Sequence, residues 1–210
     1  EKVLRGYGTV GNDQPISRSM PYYNDDLEQI TYDPERAKYH LKQAGLESLD
    51  VTLSTSDAAF NGAVDASVLF AESARPAGLN IEVKREPDDG YWSNVWLKKP
   101  WCACYWGGRP VEDQMFSTTY QTGVSWNESH WSNERFDKLL VEARAELDEA
   151  KRRDMYFEMQ KILNEEGGSA IPMFASYVFG VGDAVGMPET IATNWDLDGE
   201  RYMERWWLNA

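Results

Sequence analysis

Cysteine and histidine are scarce in this 210-residue chain, with two of each, and that scarcity removes most metal and nucleophile chemistry at the outset. Cys102 and Cys104 lie in the run Trp101 to Trp106, where an extended backbone places both side chains on one face. A disulfide between residues i and i+2 would close a strained ring, so the pair is expected as free, buried thiols. His40 and His130 are distant in sequence from this pair and from each other, which leaves too few ligands for a tetrahedral site, so no metal and no cofactor is expected. Neither histidine stands beside a G-x-S-x-G nucleophile motif. Gly6-Tyr-Gly8-Thr-Val-Gly11 has G-x-G-x-x-G spacing but lacks the strand before it and the amphipathic helix after it that dinucleotide binding requires. No stretch approaches the ~18–20 consecutive apolar residues that cross a bilayer, and no charged-then-apolar leader opens the chain at Glu1; a piece of a longer protein is expected. Cations are also short: 21 Lys and Arg against 35 Asp and Glu give a net charge of −14, which repels a phosphate backbone and excludes nucleic acid as a partner.

What is present describes a globular α/β protein, with apolar residues at 42% and all three aromatic types available for a core. Residues 1–31 are rich in turn formers and read as a loop-rich opening segment; residues 32–210 read as a single α/β domain. Asp33-Pro34-Glu35 places an N-cap, a first-turn proline and an acid at a helix start, with Ala37, Leu41 and Ala44 following at helical spacing until Gly45. Strand character over Val51–Thr55, helical spacing over Ala63–Ala74 and strand character over Asn80–Lys84 form a βαβ unit, hence a parallel pair with its crossover helix on one face. A short aromatic helix over Tyr91–Trp96 and a third, buried strand over Trp101–Trp106 follow. Two helices, from about Asn133 to Leu147 and from an Asp148 N-cap onward, carry the apolar stripes Phe136, Leu139, Leu140, Ala143 and Met155, Met159, Ile162, Leu163; they read as a hairpin ended by Gly167-Gly168. Ile171–Phe174 reads as extended, and Trp206 and Trp207 as core.

In an open α/β sheet, ligands meet the carboxyl ends of strands, which points to the loops after Thr55 and after Trp106. The first offers Ser56, Asp57, Phe60 and Asn61. The second offers Trp106, Gly107, Gly108 and Arg109, then Glu112 and Asp113. Loop tryptophans add flat contact area at small entropic cost, which brings in Trp126 and, beside it, Trp131. Adjacent carboxylates point in different directions, so Glu112 and Asp113 do not form the spaced acid–base pair of a glycosidase, and no catalytic residue is expected.

The segment Tyr32-Asp-Pro-Glu-Arg-Ala-Lys-Tyr-His-Leu-Lys-Gln-Ala-Gly45 resembles the one that opens the second lobe of family 5 extracellular solute-binding proteins. The βαβ unit, Trp106-Gly-Gly108, Phe136-Asp-Lys-Leu-Leu140, Asp148 with Arg152 and Arg153, Tyr156 with Gln160, and Ile171-Pro172 follow in that family's order. The resemblance implies the C-terminal lobe of a type II periplasmic-binding-protein fold, a mixed sheet flanked by helices. It implies a peptide-like or other small solute held between this lobe and an N-terminal lobe absent here, and delivery to ABC permease subunits in the membrane from a periplasmic or extracytoplasmic position. It also implies that Ser54–Asn61 lines the cleft. In peptide-binding relatives the loop after the Trp-Gly turn supplies an aspartate for the ligand's amino terminus; here Arg109 stands in its place, which favours an anionic or sugar-like ligand, with Glu112 and Asp113 nearby as alternative contacts for a cation. The rival expectation is a secreted hydrolase acting on peptides or glycans through Glu112 or Asp113.

Overall fold

The computed structural model describes residues 2–209, and the chain separates into two compact units: Glu1–Gln29 with Gly107–Ala210, and Ile30–Trp106 between them. Sequence patterning places one division, at residue 31/32; the backbone contacts place a second at 106/107 and make the opening segment part of the unit that resumes there.

The Ile30–Trp106 unit is built on the βαβ motif. Strands β2 (Leu49–Thr55) and β3 (Leu79–Arg85) pair in parallel over seven residues, Leu49 opposite Leu79 through Thr55 opposite Arg85. Helix α2 (Ala63–Ala74) connects them and buries Ala63, Ser67 and Ala71; a 3₁₀ turn, Arg75–Ala77, closes it at the proline. Helix α1 (Pro34–Gln43) is capped by the Asp33 carboxylate, which accepts from Arg36 N at 2.9 Å. Helix α3 (Tyr91–Asn94) plants Tyr91 in a core with Ala59, Ala63 and Val95. The expected third strand is reduced to one parallel bridge, Ser54 with Cys102, made by Ser54 N to Trp101 O and Ala103 N to Ser54 O. Beyond it the Tyr91 hydroxyl takes over, donating to Ala103 O at 2.6 Å with Ser54 O a second acceptor at 3.3 Å. A side chain thus satisfies the Ala103 carbonyl, which a longer ladder would have paired. Cys102 and Cys104 are not joined in a disulfide and are partly exposed, so the fully buried position expected for them is corrected: without a complete strand the run is not enclosed in a sheet.

The other unit joins two distant stretches of sequence. Strand β1 (Gly8–Val10), not foreseen in the turn-rich opening, pairs antiparallel with β4 (Met173–Ala175). Helices α4 (Glu112–Thr119), α5 (Glu134–Ala145) and α6 (Glu149–Glu166) share an apolar core. Phe116 packs edge-on to Phe136 at 5.3 Å between centroids, and Phe136, Leu139, Leu140, Met159 and Leu163 are essentially inaccessible. Each such side chain contributes about 1.5–3 kcal/mol by leaving water. Helix α5 starts at its Asn133 cap and α6 at its Asp148 cap, as their side chains dictate. Downstream, β5 (Val185–Gly186) pairs with β6 (Trp207–Leu208). Trp207 is about half exposed and is therefore not the core residue its apolarity suggests, since a two-residue edge strand leaves one of its faces open.

Residues 12–29 are held against α4 and α6 by side chains. Gln160, fully buried, accepts from Asn24 N at 2.9 Å and donates to Tyr22 O at 2.6 Å and Tyr156 O at 3.0 Å. Asn164 Nδ2 donates to Asn12 O at 2.7 Å, and Arg152 Nε to the Tyr22 hydroxyl at 3.0 Å. The Tyr22 ring stacks on Tyr156 at 5.2 Å and 8°. Gln160→Leu leaves the Asn24 amide and the Tyr22 carbonyl without partners and should lower unfolding stability by about 2–4 kcal/mol, read as a reduced urea midpoint; an unchanged midpoint would remove Gln160 from this role.

Burial, with the Asp113 and Glu112 carboxylates adding to it, pushes the Tyr156 phenol up to about 12 from its ordinary value of 10.0. The folded state therefore favours the neutral phenol. Its contribution is complete below pH ~10 and is lost as pH rises from there through about 12, amounting to up to ~2–3 kcal/mol. Tyr156→Phe should flatten that alkaline loss, measured by comparing the two proteins' urea midpoints across this range; parallel pH profiles would contradict it.

Candidate functional site

Gly107 and Gly108 open the second stretch of the discontinuous unit, and what crosses them explains why neither carries a side chain. A Cβ at Gly108 would stand 2.0 Å from Asn194 O, and one at Gly107 would stand 2.9 Å from the Trp195 ring. Residues 194–195 therefore lie directly on the glycine turn. Arg109 folds back over the same turn, its Nη1 donating to Gly107 O and Gly108 O, both at 3.0 Å. A cleft of about 400 Å³ follows, lined by Arg109, Pro110, Gln114, Thr118, Trp126 and Trp195. Gln114 and Thr118 sit four residues apart on α4 and so share one helix face; the opposite face buries Met115, Phe116 and Thr119 in the core.

Trp195 is kept in place by a strained turn. Leu197, Asp198 and Glu200 all have positive φ (45°, 64° and 61°), a region unfavourable to side chains bearing Cβ. Such strain persists where surroundings over-determine it, and here they do. The fully buried Asp198 carboxylate accepts from Ala192 N at 2.6 Å and from Trp206 Nε1 at 3.2 Å, and it pairs with Arg205 at 3.0 Å.

Of the residues singled out from sequence, Arg109 and Trp126 meet in this cleft, and Gly107 and Gly108 lie against Trp195 and Asn194 without lining it. Glu112 and Asp113 are engaged elsewhere. Glu112 is buried and its Oε1 accepts from Tyr22 N at 2.7 Å; Asp113 pairs with Arg144 at 2.7 Å. Trp131 packs edge-on to Phe136 at 5.2 Å. The remaining candidates belong to the other unit. Ser56 is buried and donates to Asp88. Asp57 accepts from Val64 N at 3.4 Å and lies 3.7 Å from Arg85. Phe60 packs against Ala59, Ala63, Tyr91 and Val95, and Asn61 is exposed. Trp106 packs edge-on to Trp96 at 6.1 Å, continuing an aromatic series through Trp92 and Tyr105. A larger concavity in that unit, about 500 Å³ beside β2 and β3, is bordered by side chains that satisfy one another, Asn80 with Asp50 at 2.7 Å and Thr52 with Glu82 at 3.1 Å.

Gln114, Thr118 and Trp195 escape sequence reasoning. The first two were reachable through α4, whose apolar pair Met115-Phe116 is too short a signal on its own. Trp195 carries no local signal, since only the close approach at Gly107 and Gly108 brings it to the cleft.

One unit thus carries a βαβ motif, and the other a cleft with a polar and aromatic lining. Residues 1–151 match the family model described as bacterial extracellular solute-binding proteins, family 5 Middle, and the chain belongs to that family. It is 28% identical over 185 residues to the dipeptide-binding protein of Escherichia coli (strain K12), a match spanning 80% of this chain and 33% of that one. It is 28% identical over 166 residues to di/tripeptide-binding protein 4 of Pseudomonas aeruginosa (strain UCBPP-PA14), spanning 72% of this chain and 30% of that one. The matched region thus spans about a third of the length of these curated relatives. Among solved structures, the periplasmic binding protein DppA from Helicobacter pylori in complex with the peptide STSA superimposes with a TM-score of 0.72 at 19% identity, covering 98% of this chain and 40% of that one. The substrate-binding protein CtaP from Listeria monocytogenes superimposes at 0.75 and 15% identity, covering 100% and 44%. These likenesses show the fold, and they agree with the α/β lobe expected from sequence.

The glycine turn bears directly on Asn194 and on Trp195, a lining residue of the cleft. Gly108→Ala should displace residues 194–195, lower stability by about 1–3 kcal/mol as other overpacking substitutions do, and speed limited proteolysis between residues 187 and 201. Wild-type proteolysis kinetics in the variant would mean the close approach does not hold this segment.

Proposed function

We propose that this chain supplies one lobe of an extracytoplasmic solute-binding protein that captures a small or peptide-like solute and hands it to the membrane-embedded permease subunits of an ABC importer. The observation that carries the reading is the cleft bounded by α4, Trp126 and Trp195. Its lining combines two indole rings, a guanidinium, an amide and a hydroxyl, groups that hold and orient a solute rather than cleave one. Family membership supports the same reading, as do the names of relatives that bind dipeptides and tripeptides. Closure of a second lobe over the ligand would supply the remaining contacts, in the manner of hinged binding proteins, and the chemistry asks for no cofactor. Arg109 and Trp126 are the sequence-identified residues assigned to ligand contact in this cleft, with Gln114, Thr118 and Trp195 added, and Gly107 and Gly108 are assigned to seating Trp195. Ser56, Asp57, Phe60, Asn61 and Trp106 are kept as a second, separate group of contacts on the other unit. Glu112 and Asp113 are assigned to structure.

Native mass spectrometry with a dipeptide library tests the proposal. Wild-type chain should retain library members at unchanged mass, and Trp126→Ala with Trp195→Ala should weaken retention about tenfold or more, the loss expected when aromatic contacts are removed. Cleavage of library members by the chain, abolished by Glu112→Gln or Asp113→Asn, would replace binding with the hydrolase reading.

A further inference from the structure

We infer that Cys102 and Cys104, in the Ile30–Trp106 unit, form a two-thiolate site for a soft monovalent metal ion, copper(I). Neither cysteine lines the cleft beside α4, so the inference stands apart from the solute-binding reading. The composition that rules out a four-ligand site leaves a two-ligand one open. The backbone around the pair is pinned: Ser54 N donates to Trp101 O at 3.1 Å, Ala103 N to Ser54 O at 2.9 Å, and the Tyr91 hydroxyl to Ala103 O at 2.6 Å. The run is therefore extended through Cys102, and its spacing is set. Two residues of extended chain span about 6.6 Å, near the upper end of the ~4.4–6.8 Å Cα separation that a disulfide accepts. A direct S–S bond would be strained, whereas an ion between the sulfurs, with two bonds of about 2.3 Å each in line, relieves that strain.

Both sulfurs act on one neighbour. Burial first, and then Cys102 and Cys104, push the Tyr91 phenol up from its ordinary value, and Cys102 also hydrogen-bonds to it. That groups the two thiols around a common point, as alternation in an extended run requires. Both cysteines are partly exposed, so an ion can reach them. The ligand set then selects the ion. Among the described residues no group of three or more His, Cys, Asp and Glu could share a metal, so the four ligands of zinc and the oxygen shell of calcium are not assembled. Carboxylates following β3 are engaged: Glu86 accepts from Ser54 Oγ at 3.0 Å and pairs with Lys84 at 3.2 Å, and Asp88 accepts from Ser56. Soft thiolates favour copper(I), which two ligands satisfy, and a net charge of −14 draws cations toward the chain. On binding, each thiol releases its proton to solvent and its sulfur lone pair fills one position on the ion. The oxidation state of the metal does not change.

The test titrates the reduced chain, without oxygen, with copper(I) held by bicinchoninate. Loss of the chelate's colour, ultraviolet thiolate-to-copper absorption and native mass spectrometry report affinity, ligand type and stoichiometry. One copper should bind per chain, more tightly as pH rises, because binding releases protons. Cys102→Ser and Cys104→Ser should each weaken it at least about a hundredfold, beyond the ~10–100-fold that changes behind the ligands cost, and leave the urea midpoint unchanged. Blocking both thiols of the wild-type chain with N-ethylmaleimide should have the same effect on copper, which keeps the test decisive if a variant fails to fold. Copper retained at wild-type affinity by either single variant or by the blocked chain would overturn the site. Copper found only in a species containing two chains would overturn its formation within one chain, and zinc(II) bound as tightly as copper(I) would overturn the two-ligand assignment.

Discussion

Buried backbone N–H and C=O groups must find partners, and around residues 22–24 they find them on side chains rather than on a neighbouring strand. Tyr22 N bonds to Glu112, Tyr22 O and Asn24 N to Gln160, and the Tyr22 ring stacks on Tyr156. A unit assembled from two stretches separated by the whole of Ile30–Trp106 depends on such links, because chain connectivity does not hold the pieces together. The apolar stripes of α5 and α6 build a core, but they do not specify where residues 12–29 lie. The carboxamide of Gln160 does, since an amide offers a donor and an acceptor in fixed geometry and both would be costly to leave unmet in a buried position.

That constraint reaches the cleft through α4. The bond from Tyr22 N to Glu112 fixes the first turn of the helix with its acid facing inward, which leaves Gln114 and Thr118 on the cleft side and keeps a carboxylate out of the lining. On the other wall Asp198 plays the matching part, its buried charge engaged by Arg205, Trp206 and Ala192 to hold a left-handed turn that delivers Trp195 to the glycines. Two buried carboxylates therefore shape the site from behind without entering it.

Elements defined by short-range patterns were legible in the sequence. The Asp33 and Asp148 caps, the extent of helix α2 and the parallel pair β2–β3 stand where spacing places them, because capping and periodicity act over a few residues. The antiparallel pair β1–β4 was not legible, since its strands are three residues long and their partners are far apart in the chain. The site divides along the same line. Gly107, Gly108 and Arg109 carry a local signal, whereas Trp195 depends on a long-range approach. Glu112 and Asp113 were legible as acids, but their engagement by Tyr22 and Arg144 was not, because packing sets those partners.

Hydrogen–deuterium exchange of the chain with and without saturating dipeptide tests the central claim, that the cleft beside α4 is where solute is held. Ligand should slow exchange in peptides covering residues 107–118 and 194–196 and leave residues 12–29 unchanged. Protection confined to other segments, or none at all under conditions where the ligand is bound, would contradict it.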